Sequence, residues 1–164
     1  MIKKTGTKIE FDYKTGSGEI IEDFQVIIDR VKDKLAEGGS VVAVGCDSQK
    51  VKRKMHFVLA IGVLNPDHKG GIYFTKKIVE KEKFSLIEKL YKEAMLIIEV
   101  AQKLIDAGIK IDMLEAHSDV GFNGKSSLYL KGIVGMITAY GFTTKIKPLC
   151  WASNSIADKV SRKK

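Results

Sequence analysis

The stretch Val41-Val-Ala-Val-Gly-Cys-Asp-Ser-Gln49 decides the fold. Its first six residues form a continuous, largely β-branched apolar run that ends abruptly in three polar side chains, the pattern of a strand buried at the centre of a sheet. Upstream, Ile20, Phe24, Ile27, Ile28, Val31 and Leu35 recur at spacings of three and four, which predicts an amphipathic helix from Glu19 to the break at Gly38-Gly39. Downstream, residues 57–64 and 72–79 read as two more strands, joined by a basic turn at 50–54 and a loop at 66–71. Connections this short allow only antiparallel neighbours.

Beyond them the pattern predicts a long helix over 85–107 closed by Gly108, a fourth strand over 109–116 and a helix over 128–140 ended by Gly141. A fifth strand over 143–151 and a short helix over 155–162 complete the chain. A long helix between the third and fourth strands is a crossover, and crossovers return the chain parallel to a strand already in the sheet. The expected class is therefore α/β. The sheet is mixed and five-stranded, antiparallel across its first three strands and parallel across the first, fourth and fifth, with helices on its faces and an extra N-terminal helix. Residues 1–18, with Gly6, Gly16, Gly18 and scattered charges, are expected to form a loosely held arm, with a short strand near 8–13. Residues 19–164 are expected to form a single domain, since no repeat or linker divides them.

A chain of 164 residues that is 45% hydrophobic suits one domain with a sizeable core. No apolar run approaches the roughly 18–20 residues of a membrane span, and the opening Met1-Ile-Lys-Lys-Thr-Gly has no apolar core of a secretion signal. A cytoplasmic protein with no membrane partner is expected. Cys46 and Cys150 are too far apart for a CxxC unit, and both lie in apolar runs, as buried thiols do. The 28 basic and 20 acidic side chains give a net charge of +8, which fits an anionic partner such as nucleic acid and fits plain solubility equally well.

The carboxylates carry the chemistry. Asp47 ends the first strand and Asp119 the fourth, so if these strands are parallel neighbours about 4.8 Å apart, both acids stand at the same carboxyl edge. Acids that close repel unless a cation lies between them, and hard oxygen ligands suit Mg²⁺ or Mn²⁺. The long helix offers a third acid. Glu88 follows Ser85 by three, a capping-box spacing, whereas Glu93 shares the apolar stripe of Leu86, Leu90, Ile97 and Leu104 and needs a partner there. Glu93 is therefore preferred, with Glu88 as the alternative. Asp158 is a fourth candidate, which local sequence leaves open between a site acid and a capping box with Ser155.

Three segments, Val44-Gly-Cys-Asp-Ser-Gln49, His117-Ser-Asp-Val-Gly121 and Ile146-Lys-Pro-Leu-Cys-Trp-Ala-Ser-Asn-Ser-Ile-Ala-Asp-Lys-Val-Ser-Arg162, resemble the YkuK-like family of ribonuclease H-like proteins over residues 18–164. The resemblance implies a ribonuclease H-like fold and a nuclease site holding two Mg²⁺ or Mn²⁺ ions. Asp47 would bridge the ions, and Glu93, Asp119 and Asp158 would complete their shells. The implied reaction is hydrolysis of phosphodiester bonds in RNA, RNA/DNA hybrid or structured DNA. Where better-known ribonucleases H carry Asp-Gly-Ser this chain has Asp47-Ser48-Gln49, and residues 145–157 lack their flexible catalytic histidine. Ser48, beside Asp47, and His117, two residues before Asp119, are candidate supports for the acids, with a structural role the alternative for His117.

Other motifs weigh less. Gly121-Phe-Asn-Gly-Lys-Ser-Ser127 has a GKS, but Asp119 stands where a phosphate loop needs its first glycine, so no nucleotide-triphosphate site is expected. Lys125 and Ser126 remain candidates for a substrate phosphate, against a plain turn. Lys50, Lys52, Arg53 and Lys54 follow Asp47 and are candidates for the phosphate backbone, against a solvated turn. Trp151 is expected in the core, and His56 and His68 have no metal-ligand spacing. Six basic residues follow Thr143 against the single acid Asp158, so the proposed acids lie between two basic stretches. A non-catalytic nucleic-acid-binding module is the main alternative function, and phosphoester chemistry on a small metabolite a third.

Overall fold

In a computed structural model, which describes residues 3–5, 8–38 and 41–161, the apolar run becomes the central strand of a mixed sheet. Gly6, Gly39, Arg162, Lys163 and Lys164, which entered the sequence reading, lie outside the described residues. In chain order the elements begin with β1 (Lys3–Thr5), β2 (Lys8–Glu10), β3 (Tyr13–Thr15), β4 (Ile20–Ile21) and α1 (Phe24–Ala36). The central hairpins follow as β5 (Val42–Val51), β6 (Lys54–Leu64) and β7 (Gly71–Glu80), then α2 (Leu86–Asp106) and β8 (Leu114–His117). The last are α3 (Leu130–Ala139), β9 (Thr143–Lys145) and a terminal helix, π-wide over Ala152–Ala157 and continuing as α4 (Asp158–Ser161).

The strand order is β1-β2-β7-β6-β5-β8-β9, with β3 pairing to β7 and β4. Its β7-β6-β5-β8-β9 portion is the expected arrangement, antiparallel through β5, β6 and β7 and parallel through β5, β8 and β9. The expected five strands are joined by four more, making nine among the described residues. The additional four come from the N-terminal residues, which pair along β7 through β2 and β3 and bury Tyr13. Without them β7 would expose a row of unpaired backbone groups.

Several boundaries move, each for a local reason. Ile20 and Ile21 form a strand, and α1 starts at Phe24 because the Asp23 side chain accepts the N–H of Gln25 at 2.9 Å. The central strand runs past Cys46 to Val51, since its antiparallel partner β6 continues to a two-residue turn in which Lys52 takes a left-handed φ of 58°. Asp47 therefore lies within a strand, opposite Val58, rather than at its end. The fourth strand is only Leu114–His117, preceded by a 3₁₀ turn at Ile111–Met113. The fifth stops at Lys145, shortly before Pro148, which has no N–H to give a ladder. Trp151 consequently leads into the terminal helix instead of ending a strand.

The two faces of the sheet differ. On one face α1, α2 and α3 cover Val42, Val44, Cys46, Phe57, Leu59 and Ile61 in the main core. The other face carries a small cluster of Val58, Ala60 and Ala157, under the terminal helix. That helix sits directly on backbone. A Cβ added at Gly45 would stand 2.5 Å from the Ser153 nitrogen and 2.6 Å from the Ala152 carbonyl carbon, and one at Gly62 2.9 Å from Cζ3 of Trp151. The Ser153 hydroxyl accepts the Cys46 N–H at 3.1 Å and donates to the His117 carbonyl, bridging β5 and β8.

Two substitutions test this seating. Gly45→Ala should cost about 1–3 kcal/mol, because the two nearest contacts are backbone atoms that no rotamer change can move. Ser153→Ala should cost about 1–3 kcal/mol by stranding a buried N–H and carbonyl. Urea unfolding reads both; midpoints equal to that of the parent protein would show that the helix does not rest on β5 in this way.

Candidate active site

The parallel register sets the first two acids. Gly45 on β5 lies opposite His117 at the end of β8, and two residues further along each chain path come Asp47, still within β5, and Asp119, beyond β8. Asp47, 8% exposed, is held by the continuing ladder to β6. Asp119 lies just past β8, in a segment tied to the chain after β9 by Ser118 N–H to the Lys145 carbonyl and Lys147 N–H to the Val120 carbonyl, both 2.9 Å.

The third acid comes from α2, whose phase is set by a capping box. Ser85 accepts the Glu88 N–H at 3.2 Å, and the Glu88 carboxylate accepts the Ser85 N–H at 2.9 Å. Glu88 is thereby committed to the helix start and exposed. Glu93 lies on the buried face, 5% exposed, and its Oε2 accepts a hydrogen bond from the Ser48 hydroxyl. Burial pushes the Glu93 carboxyl up to about 8, the charges of Asp47 and Asp119 adding to the rise while Ser48 and Lys89 oppose it.

Asp119 and Asp158 also act on each other. Burial raises the Asp119 carboxyl above its ordinary value and the Asp158 charge adds to this, while Lys147, with Nζ 3.5 Å from Oδ1, and Lys89 oppose it. The capping alternative for Asp158 does not hold, because Ser155 lies inside the π-helical stretch rather than before it. Thus Asp47 from within β5, Asp119 from the segment after β8, and Glu93 and Asp158 from two helices form one electrostatically linked set.

His117 is buried and fully engaged. Its Nδ1 accepts the Ala152 N–H at 3.1 Å, so the ring proton sits on Nε2, 3.0 Å from Oε1 of Glu115. Burial holds its pKa below the ordinary value. With both nitrogens engaged and Trp151 edge-on at 5.0 Å, the ring seats the terminal helix. Cys46 and Cys150 are buried free thiols, both raised by burial and by neighbouring acids, Cys150 to about 11. They are therefore protonated rather than nucleophilic.

Among the candidate phosphate contacts, Lys50, Lys52, Arg53 and Lys54 are exposed on the β5–β6 hairpin, whose turn begins five residues, about 17 Å of strand, beyond Asp47. Lys125 and Ser126 lie in a 3₁₀ turn over Lys125–Tyr129 after Gly124, where the Ser127 hydroxyl donates to the Gly124 carbonyl at 2.8 Å. Three closer cations are not evident from sequence spacing alone. Lys147 pairs with Asp119, Lys89 faces Glu93 and Asp119, and Lys77 shares a cross-strand row with Val58 and Asp47. Only Lys89 had a local signal, standing four residues before Glu93 on one helical face.

The donor chemistry fits Mg²⁺ or Mn²⁺: all four candidates are carboxylates, and Glu93 is a buried acid pressed by two others. Among the described residues, no three His, Cys, Asp or Glu side chains already converge into a group that could hold an ion. Nor is any described helix long and apolar enough to cross a membrane.

The ribonuclease H-like family model matches residues 22–162. The uncharacterized protein YkuK of Bacillus subtilis (strain 168) is 27% identical over 157 residues, covering 85% of this chain and 91% of the relative. No solved structure gives a significant match. The matched span takes in β5, α2, the segment after β8 and the described part of the terminal helix, which carry the four acids, and the chain belongs to the YkuK-like branch of the ribonuclease H-like family.

Proposed function

We propose that the protein is a divalent-metal-dependent nuclease that hydrolyses phosphodiester bonds in RNA, RNA/DNA hybrid or structured DNA. The observation that carries this reading is Glu93: a carboxyl buried beside Ser48 and raised to about 8 by burial and by the charges of Asp47 and Asp119. A fold that merely needed a helix against a strand would place an apolar residue there. Two bound Mg²⁺ or Mn²⁺ ions would supply an activated water and a stabilised leaving oxygen for in-line attack. Asp47, on the central strand, would hold the ions together with Glu93, Asp119 and Asp158.

The chain's own groups do the rest. Glu93, protonated at neutral pH without a cation, would hold one as the carboxylate. Ser48 fixes the carboxylate, and Lys89 and Lys147 offset the negative set until substrate arrives. The phosphate backbone has a cationic path on the terminal-helix face, where Lys77 and Lys54 both press the pKa of His56 downward, after its burial. A second reading, a nucleic-acid-binding module without chemistry, draws on the exposed Lys50, Lys52, Arg53 and Lys54 of the β5–β6 hairpin.

Labelled RNA, hybrid, single-stranded and branched DNA incubated with Mg²⁺ or Mn²⁺ separate the two. Asp47→Asn and Asp119→Asn should each lower cleavage by at least about a hundredfold, the scale of one lost electrostatic contact to a transition state, with circular dichroism unchanged. Cleavage that survives both substitutions, or proceeds equally in chelator, would remove the nuclease reading; salt-sensitive binding with no turnover would favour the module.

The Glu93 proton gives a second test. Its folded pKa of about 8 lies above the ordinary 4.5, so between these values the folded protein holds a proton that the unfolded chain has released. This contribution to stability is complete below about pH 4.5 and is lost as pH rises through about 8, a change on the order of a few kcal/mol. Metal-free protein should accordingly unfold at lower urea as pH rises from 5 to 8, Glu93→Gln should flatten that slope, and Mg²⁺ at pH 8 should restore stability. An identical slope in Glu93→Gln would contradict a protonated Glu93.

A further inference from the structure

We infer that the site takes single-stranded nucleic acid, with a base stacked on Phe122 at the rim beside Asp119; this rests on the nucleic-acid reading above. Phe122 is 77% exposed and stands three residues after Asp119, and Leu149, 62% exposed, immediately precedes Cys150, whose thiol faces Asp119 Oδ1 at 4.0 Å. The two loops are joined. Lys147 N–H donates to the Val120 carbonyl, so Phe122 and Leu149 each follow a hydrogen-bonded residue by two. A Cβ on Gly121 would lie 3.1 Å from the Lys147 Cβ, so the chain just before Phe122 rests on the Lys147 stem, while the Lys147 ammonium reaches Asp119.

The rim thus sets two exposed apolar side chains around one lysine at the edge of the acid set. Leu128, 83% exposed in the turn that the same loop enters, and Lys125 repeat the combination further out. Apolar side chains this exposed add nothing to the core, and cations interleaved with them are unsuited to an apolar protein partner. An aromatic face beside a lysine suits a base and its phosphate. An intact duplex hides its base faces in the stack, whereas a single strand presents them.

Fluorescence anisotropy in chelator, with a labelled oligothymidine and a mixed-sequence duplex of equal length, tests the assignment on the full chain. The unaltered protein should prefer the single strand. Phe122→Ala should weaken single-strand binding about tenfold, as loss of one stacked base does, and Phe122→Trp should retain it. Leu149→Ala should weaken it less, and duplex binding should change less than about twofold in all three. Single-strand affinity untouched by Phe122→Ala, or equal losses on both probes, would overturn the inference. So would sedimentation showing a dimer that Phe122→Ala dissociates, which would make the rim a contact between copies. If the unaltered protein binds neither probe, the nucleic-acid reading falls as well; if it binds and cleaves while Phe122→Ala is silent, only the stacking role falls.

Discussion

The Ser153 hydroxyl, wedged between the Cys46 N–H and the His117 carbonyl, is the contact on which the rest of the site depends. It acts where the parallel ladder between β5 and β8 gives out, so one side chain both joins the strands and pins the terminal helix to them. The helix comes that close because position 45 is glycine, whose missing Cβ leaves room for the Ser153 nitrogen. His117 secures the same place from the other strand by accepting the Ala152 N–H. Asp158, five residues beyond Ser153 on the helix so seated, lies in the electrostatic neighbourhood of Asp119.

The seat also explains why the two faces are built so unequally. The α1–α2–α3 face carries the main apolar core, while the face bearing Asp47 is covered by a small cluster and a hydrogen-bonded helix. Polar contacts hold position by direction rather than by volume, which suits a face where carboxylates and substrate must share space. The apolar face still contributes one polar reach. Ser48 and Glu93 meet between β5 and α2, so the acid set draws on both sides of the sheet at its edge. Burial raises the proton affinity of Glu93, and the neighbouring carboxylates of Asp47 and Asp119 add to the rise.

Much of this was legible in residue order. The uninterrupted apolar run marked the central strand, short connections marked the hairpins, and the long helix after β7 implied a crossover. Together these led to the correct neighbours for β5. The Ser85–Glu88 capping box explained Glu88 and left Glu93 in the apolar stripe without a local role. The N-terminal strands were hidden because their stability comes from pairing to β7, hundreds of atoms away along the chain, and not from any periodicity of their own. Lys147 was visible only as part of a basic stretch, since its approach to Asp119 follows from the β8–β9 register.

The sequence by itself determined the central strand, the order of elements from the first helix onward and the four acids worth considering, because those follow from apolar spacing and from carboxylates out of place in it. Tertiary structure alone decided that Asp47 lies inside a strand, that Ser155 cannot cap the helix bearing Asp158, and that His117 is tied to Glu115 and Ala152. The physical reason is the same in each case. These facts depend on which backbone groups remain unpaired after the strands have met, and that is settled by partners distant in the chain.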